Sequence, residues 1–317
     1  MKIKRLNSFV LLVILTAGLV ENVLADNNAL MQAAGFTQDF RDWLIRNGYE
    51  KYDFPRSDLG WQGSYGGRLF SGQQIKRDPI IFIHGNSDRA LGDGRLGWDS
   101  QISYYLAAGY TPAELYATTW GPADSRYAAE QSHSSIYLKR LRAFIMAVLD
   151  YTGAERIDLI AHSMGVTLAR KIIKGGTGID DEFGRYDLGP PLTNRIDTFV
   201  GIAGANQGLA GCAFTSGIET CNEDDGFYPG GFSWGFPIQR SDFLRDLDRL
   251  PSREGRYVFS IWSPNDEIIG YGNIVYGKVT GRIPGQDDEI VIIGPDGDHY
   301  DLKNKSADEI LQLIVHQ

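Results

Sequence analysis

The stretch Arg156-Ile157-Asp158-Leu159-Ile160-Ala161-His162-Ser163-Met164-Gly165-Val166-Thr167-Leu168-Ala169-Arg170-Lys171 (RIDLIAHSMGVTLARK) changes its periodicity in the middle. Its first half is a short apolar run with the length of a buried strand, and its second half follows helical spacing. At the junction stands Ala161-His162-Ser163-Met164-Gly165, a serine with a small residue two positions away on either side. A strand that runs through such a pentapeptide into a helix is the setting of a nucleophile elbow. The turn is so tight that both flanking positions need small side chains, and alanine here stands where glycine is commoner. It lifts the Ser163 hydroxyl above the sheet, and the helix that follows points its N-terminal amides toward it.

On both sides of this stretch, strand-like and helix-like segments alternate. Short apolar runs occupy Pro79–His84, Leu115–Thr119, Asp197–Gly204 and Tyr257–Trp262. Helical patterns are predicted over Asn28–Gly48, Trp98–Ala108, Ser125–Tyr151, Val166–Lys174, Pro237–Leu250 and Ala307–His316, and glycine-rich Ser57–Gly72 reads as a loop. The alternation implies an α/β fold: a mostly parallel sheet with helices on both faces. No repeat or linker divides residues 26–317, which read as one domain.

The chain has 317 residues, 43% hydrophobic and 22% charged, a balance that excludes disorder and a multispanning membrane protein. Its net charge is −9 with no basic run, so nucleic acid is excluded as a partner. Two cysteines are too few for a disulfide-built scaffold or a Cys-based zinc site, and the scattered acids form no compact calcium loop. No metal, cofactor or protein partner is implied. Lys2, Lys4 and Arg5 precede the apolar run Phe9–Val20, and Val23-Leu24-Ala25 ends in a small residue. Residues 1–25 therefore read as a secretory signal peptide, too short in its apolar part to span a bilayer. Its removal takes three basic residues and one acid, which leaves a net charge of −11.

Only five histidines exist: His84, His133, His162, His299 and His316. After an elbow serine the acid and then the histidine follow in chain order, so the base lies beyond Ser163. His316 is the penultimate residue, where chains fray, which leaves His299, in a loop before the last helix. The acid must lie beyond the carboxyl end of a strand, because parallel sheets build their sites there. Asp158 and Asp197 sit early in their strands. Asp266 follows Tyr257–Trp262 by a short Ser263-Pro264-Asn265 turn and is the first choice, with Asp298 as the second. Asp266 would accept the second ring N–H of His299 and hold its tautomer. For an oxyanion, one amide is that of Met164, and the loop His84-Gly85-Asn86 offers a second at Asn86. His84 itself reads as a brace of that loop.

Export makes a Cys212–Cys221 disulfide expected. The same region, Gly211–Phe236, holds six aromatics interleaved with glycines, and it follows the strand Asp197–Gly204. Phe214, Phe232 and Trp234 are therefore expected to line an acyl-chain subsite.

The segments IFIHGNSD, ELYATTWG, IDLIAHSMGVTLARK, DTFVGIAGANQG and VFSIWSPNDEIIGYG together resemble the class 2 lipases, a secreted branch of the α/β-hydrolase fold, from about Phe40 to Tyr300. The family pattern gives Ser163, Asp266 and His299 as its triad. The resemblance implies hydrolysis of carboxyl esters, with lipid esters as substrate and transient contact with a lipid surface. Many members carry a Gly-Tyr-Ser-Leu-Gly elbow in place of Ala-His-Ser-Met-Gly, a difference that bears on chain-length preference. The expected function is thus that of a secreted serine lipase or esterase. The alternatives are a depolymerase of polymeric esters, and a non-catalytic lipid-binding protein on the same fold.

Overall fold

The computed structural model describes residues 30–316, apart from 216, 234–235 and 250–252; the expected signal peptide lies outside the described residues, as does Trp234. The chain forms a seven-stranded central sheet. Its strands are β1 (Ser64–Tyr65), β2 (Ile80–Ile83), β3 (Leu115–Thr118), β4 (Ile157–His162), β5 (Ile196–Ile202), β6 (Tyr257–Trp262) and β7 (Asp288–Val291). They lie in the order β1-β3-β2-β4-β5-β6-β7, and only the short edge strand β1 is antiparallel to its neighbour.

Helices cover both faces, and that is why the inner strands carry mostly apolar residues. Side chains alternate across a strand. Ile81, Ile83, Leu159 and Ala161 face one core with α1 (Gln38–Arg46), α3 (Ser135–Thr152), α4 (Met164–Lys174) and α5 (Asp242–Arg249). Ile80, Phe82 and Ile160 face the other with α2 (Asp99–Ala107), α6 (His299–Asn304) and α7 (Ala307–Val315). β4 has a polar residue near each end, Asp158 and His162; the Asp158 carboxylate accepts the Thr198 amide at 3.1 Å. Burial there pushes its pKa up to about 8.

Two helix expectations are corrected. The single helix over Ser125–Tyr151 is a 3-10 turn (Ser125–Glu130) followed by α3, because His133 is drawn onto the Asp225 carbonyl and Ser134 caps the second helix. The helix expected from Pro237 begins at Asp242, because Phe236–Ile238 pairs with Gly231–Ser233 as a hairpin and Ser241 accepts the Leu244 amide. β7 was not anticipated: it opens on Asp288-Glu289 and is half exposed, so it lacks the buried-strand pattern.

Cys212 and Cys221 are joined in a disulfide, and both are buried. A bridge over nine residues of separation stabilises by about 2.5–3 kcal/mol in the chain-entropy picture. The paired Cys212→Ser and Cys221→Ser variant is expected to show that loss in urea unfolding, and a reductant should then have no further effect on it. Unchanged unfolding midpoints would show that the packing around the two sulfurs, rather than the bond, holds the loop.

Candidate active site

Ser163 stands between the end of β4 and the start of α4 with φ +56° and ψ −128°. A non-glycine residue at positive φ stores strain, which persists only where the surroundings enforce it. Here the Ser163 amide donates to the Ile202 carbonyl of β5 at 2.9 Å, and its carbonyl accepts from Val166 at 3.0 Å. Gly165 shows why a small residue is required. A Cβ there would lie 2.5 Å from the His84 carbonyl oxygen and 2.6 Å from that of Ile83. The first turn of α4 therefore rests against the end of β2.

The loop after β2 closes on the serine from the other side. A Cβ on Gly85 would come within 2.7 Å of the Ser163 Cβ, so the backbone at Gly85 and Asn86 passes directly beside the hydroxyl. Two amides are available at this point. Among the described residues neither the Asn86 nor the Met164 N–H donates a hydrogen bond. Asn86 is held by its side chain, whose Nδ2 donates to the Ala128 carbonyl at 2.8 Å.

His84 braces the loop as anticipated. Its Nδ1–H donates to the Gly85 carbonyl at 2.7 Å, its Nε2 accepts the Trp120 amide at 3.0 Å, and its ring stacks on Trp120. Burial depresses its pKa to about 4, so it stays neutral in this tautomer.

Asp266 and His299 meet, although 33 residues separate them. The Asp266 side chain is fully buried, and its Oδ2 lies 2.9 Å from His299 Nδ1. Its Oδ1 accepts the amides of Ile268 at 3.0 Å and Ile269 at 2.8 Å, which fixes the carboxylate plane. A second carboxylate holds the backbone of the same residue: the His299 amide donates to Glu267 at 3.1 Å.

His299 is not in a loop but is the first residue of α6, because Asp298 caps that helix by accepting the Tyr300 and Asp301 amides. Asp298, the second-choice acid, is used up in this cap and in an ion pair with Arg95. No hydrogen bond joins the Ser163 hydroxyl to His299 among the described residues; such contacts are often long before substrate binds. The His299 ring lies 4.5 Å from the ring of His162, the residue before the serine.

His162 had no role in the sequence reading. Its Nε2–H donates to the His299 carbonyl at 2.9 Å, so the elbow itself grips the backbone of the candidate base. Burial and the nearby His299 ring keep its pKa well below the usual histidine range. Its Nδ1 is buried without a partner among the described residues.

The disulfide loop borders this site through a shared acceptor. Thr220 Oγ1 donates at 2.7 Å to the same Ala128 carbonyl that Asn86 holds. Within the wider region Gly211–Phe236, Phe227 and Tyr228 are buried, so for them the aromatic pattern means core packing. Phe214 is 92% exposed, while the side chain of Phe232 lies outside the described residues. A cavity of about 670 Å³, walled in part by Arg56, Tyr137, Arg140 and Phe183, includes none of Ser163, Asp266 and His299. Among the described residues no cluster of three His, Cys, Asp or Glu is arranged to hold a metal ion.

A family model described as Lipase (class 2) matches residues 77–311. Among solved structures, the Bacillus licheniformis lipase BlEst2 is similar at 13% identity in two forms. Its propeptide form gives a TM-score of 0.51 over 80% of this chain and 53% of its own. Its mature form gives 0.50 over 79% and 97%. The present chain thus spans about half the length of the propeptide form. At such low identity the likeness concerns the fold, a mostly parallel sheet of the α/β-hydrolase type.

Proposed function

The chain belongs to the class 2 lipases, hydrolases of the lipase and esterase type, and from that premise we propose that it is a secreted serine esterase working through Ser163, His299 and Asp266. One observation carries this reading: the buried Asp266 carboxylate on Nδ1 of His299, whose backbone is gripped by the residue preceding the strained Ser163.

In this mechanism Ser163 Oγ attacks the ester carbonyl carbon while its proton passes to His299 Nε2. The carbonyl oxygen becomes an oxyanion and takes hydrogen bonds from the amides of Met164 and Asn86. Asp266 keeps the proton on Nδ1 and favours the imidazolium that forms. Collapse of the intermediate breaks the ester C–O bond, and His299 returns the proton to the leaving alcohol. Water then attacks the acyl-enzyme by the same route, which frees the acid and regenerates Ser163. No cofactor enters any step. The disulfide between Cys212 and Cys221 supports export to an oxidising compartment. Phe214, exposed on the loop tied to Ala128, is the ring that would meet an acyl chain.

A serine-directed fluorophosphonate is expected to label the protein at Ser163, located by peptide mapping. The protein should also hydrolyse p-nitrophenyl esters from acetate to palmitate. Phe214→Ala should lower hydrolysis of the long-chain esters several-fold more than that of acetate. A non-catalytic lipid binder would neither take the label nor release nitrophenol. Equal losses on short and long esters would remove Phe214 from the acyl subsite and leave the triad in place.

A further inference from the structure

Asp88 and Lys303 stand 215 positions apart, and Lys303 Nζ lies 2.7 Å from Asp88 Oδ2. Both side chains are buried, at 2% and 0% exposure respectively. A buried ion pair adds little net stability over well-packed apolar residues, so what it fixes in the geometry matters more than its energy.

The two ends belong to the two halves of the candidate site. Asp88 closes the loop that carries the Asn86 amide. Its backbone amide turns back to the Gly85 carbonyl at 3.3 Å, and its Oδ1 gathers the amides of Arg89 at 2.8 Å and Gly97 at 2.7 Å. Lys303 lies one helical turn beyond His299 on α6. Its Nζ sits over the rings of Trp98 at 5.5 Å and Tyr300 at 5.9 Å, and its carbonyl accepts Gln101 Nε2. The remaining polar ties between this loop and α6, Arg95 with Asp298 and Asn304 with the Arg95 carbonyl, involve exposed side chains, where such contacts hold weakly.

We propose that Asp88 and Lys303 are positioning residues. They fix the loop bearing the Asn86 amide against the helix bearing His299, so that amide and base converge on one carbonyl group. The proposal rests on the triad reading above. It adds that the distance between oxyanion donor and base is set by a buried tie that touches neither substrate nor reacting atoms. Misplacement of such groups by about 1 Å costs on the order of 100-fold in rate.

The double variant Asp88→Asn with Lys303→Met separates positioning from plain stability. The new asparagine keeps an oxygen for the Arg89 and Gly97 amides, and no charge is left buried; its NH₂ group loses its partner, so the melting temperature should fall by only a few degrees. Lys303→Met alone strands a buried carboxylate and should melt well below both. In the double variant kcat on p-nitrophenyl butyrate should fall at least about tenfold with KM within about twofold. Amide hydrogen exchange at Asp88, Arg89 and Gly97 should rise about tenfold. Recovery of kcat together with melting temperature, or unchanged exchange at these amides, would overturn the proposal. If the unaltered protein cleaved no ester, the triad reading would fall, and the exchange measurement would still decide the tie.

Discussion

Ser163→Ala is expected to lose ester hydrolysis by a factor on the order of 10⁴ to 10⁶ while keeping its melting temperature within a few degrees. The loss is that large because, in the proposed mechanism, the oxygen removed is the one that bonds to carbon. The fold should not notice. The hydroxyl makes no hydrogen bond among the described residues, and the bonds that hold the elbow run through the backbone, to Ile202 and Val166. Alanine bears the same positive φ as serine, with the same strain. His299→Ala should fall nearly as far, and the two together no further than either alone, because nucleophile and base act as one unit. Rates come from p-nitrophenyl butyrate hydrolysis, and folding from thermal melts of the same samples. Activity surviving in Ser163→Ala would place the chemistry elsewhere in the molecule.

The second large effect is at Asp266, where an atom count gives the sign. Oδ1 already accepts the Ile268 and Ile269 amides, so asparagine must keep its oxygen on that side. Its NH₂ group then occupies the place of Oδ2, facing His299 Nδ1 at about 2.9 Å. A donor in that place, nearer to Nδ1 than the retained Oδ1 at 3.1 Å, favours the tautomer in which Nδ1 accepts, which moves the ring proton to Nε2 and leaves no lone pair there to take the serine proton. Asp266→Asn should therefore lower kcat on the order of 10⁴-fold with little change in KM and an intact fold. Asp298→Asn is the control. It keeps the oxygen that caps α6 and weakens only the exposed ion pair to Arg95, so its rate should change by less than a few-fold. The reverse pattern in the two variants would transfer the acid's role to Asp298.

Much of the architecture could be read one segment at a time. The buried strands announce themselves because both of their faces are covered, and Tyr257–Trp262 begins and ends where its apolar run does. Segments shaped by distant partners misled the reading. Residues around His133 are helical in pattern but are pulled straight by the Asp225 carbonyl and by the stacking of the ring on Phe243. β7 is an edge strand with acids at its start, so its pairing with β6 shows more plainly in space than in the sequence. Aromatics between Gly211 and Phe236 look alike in the chain, yet Phe227 lies in the core and Phe214 in solvent.

The candidate site divides along the same line. Taken alone, the chain determines the strand-to-helix turn at Ser163 and points to Asp266 and His299 as candidates, because these depend on periodicity, chain order and on which end of a strand a residue occupies. Only the tertiary structure decides that His162 holds the His299 carbonyl, that Gly85 presses on Ser163, and that Lys303 pairs with Asp88. Helical and strand patterns are written among neighbours three or four residues apart. A lysine on a helix has no mark in its own surroundings to say whether water or an aspartate 215 positions away will meet it. That is settled when sheet order brings the loop after β2 and the helix α6 to the same end of β4 and excludes water between them.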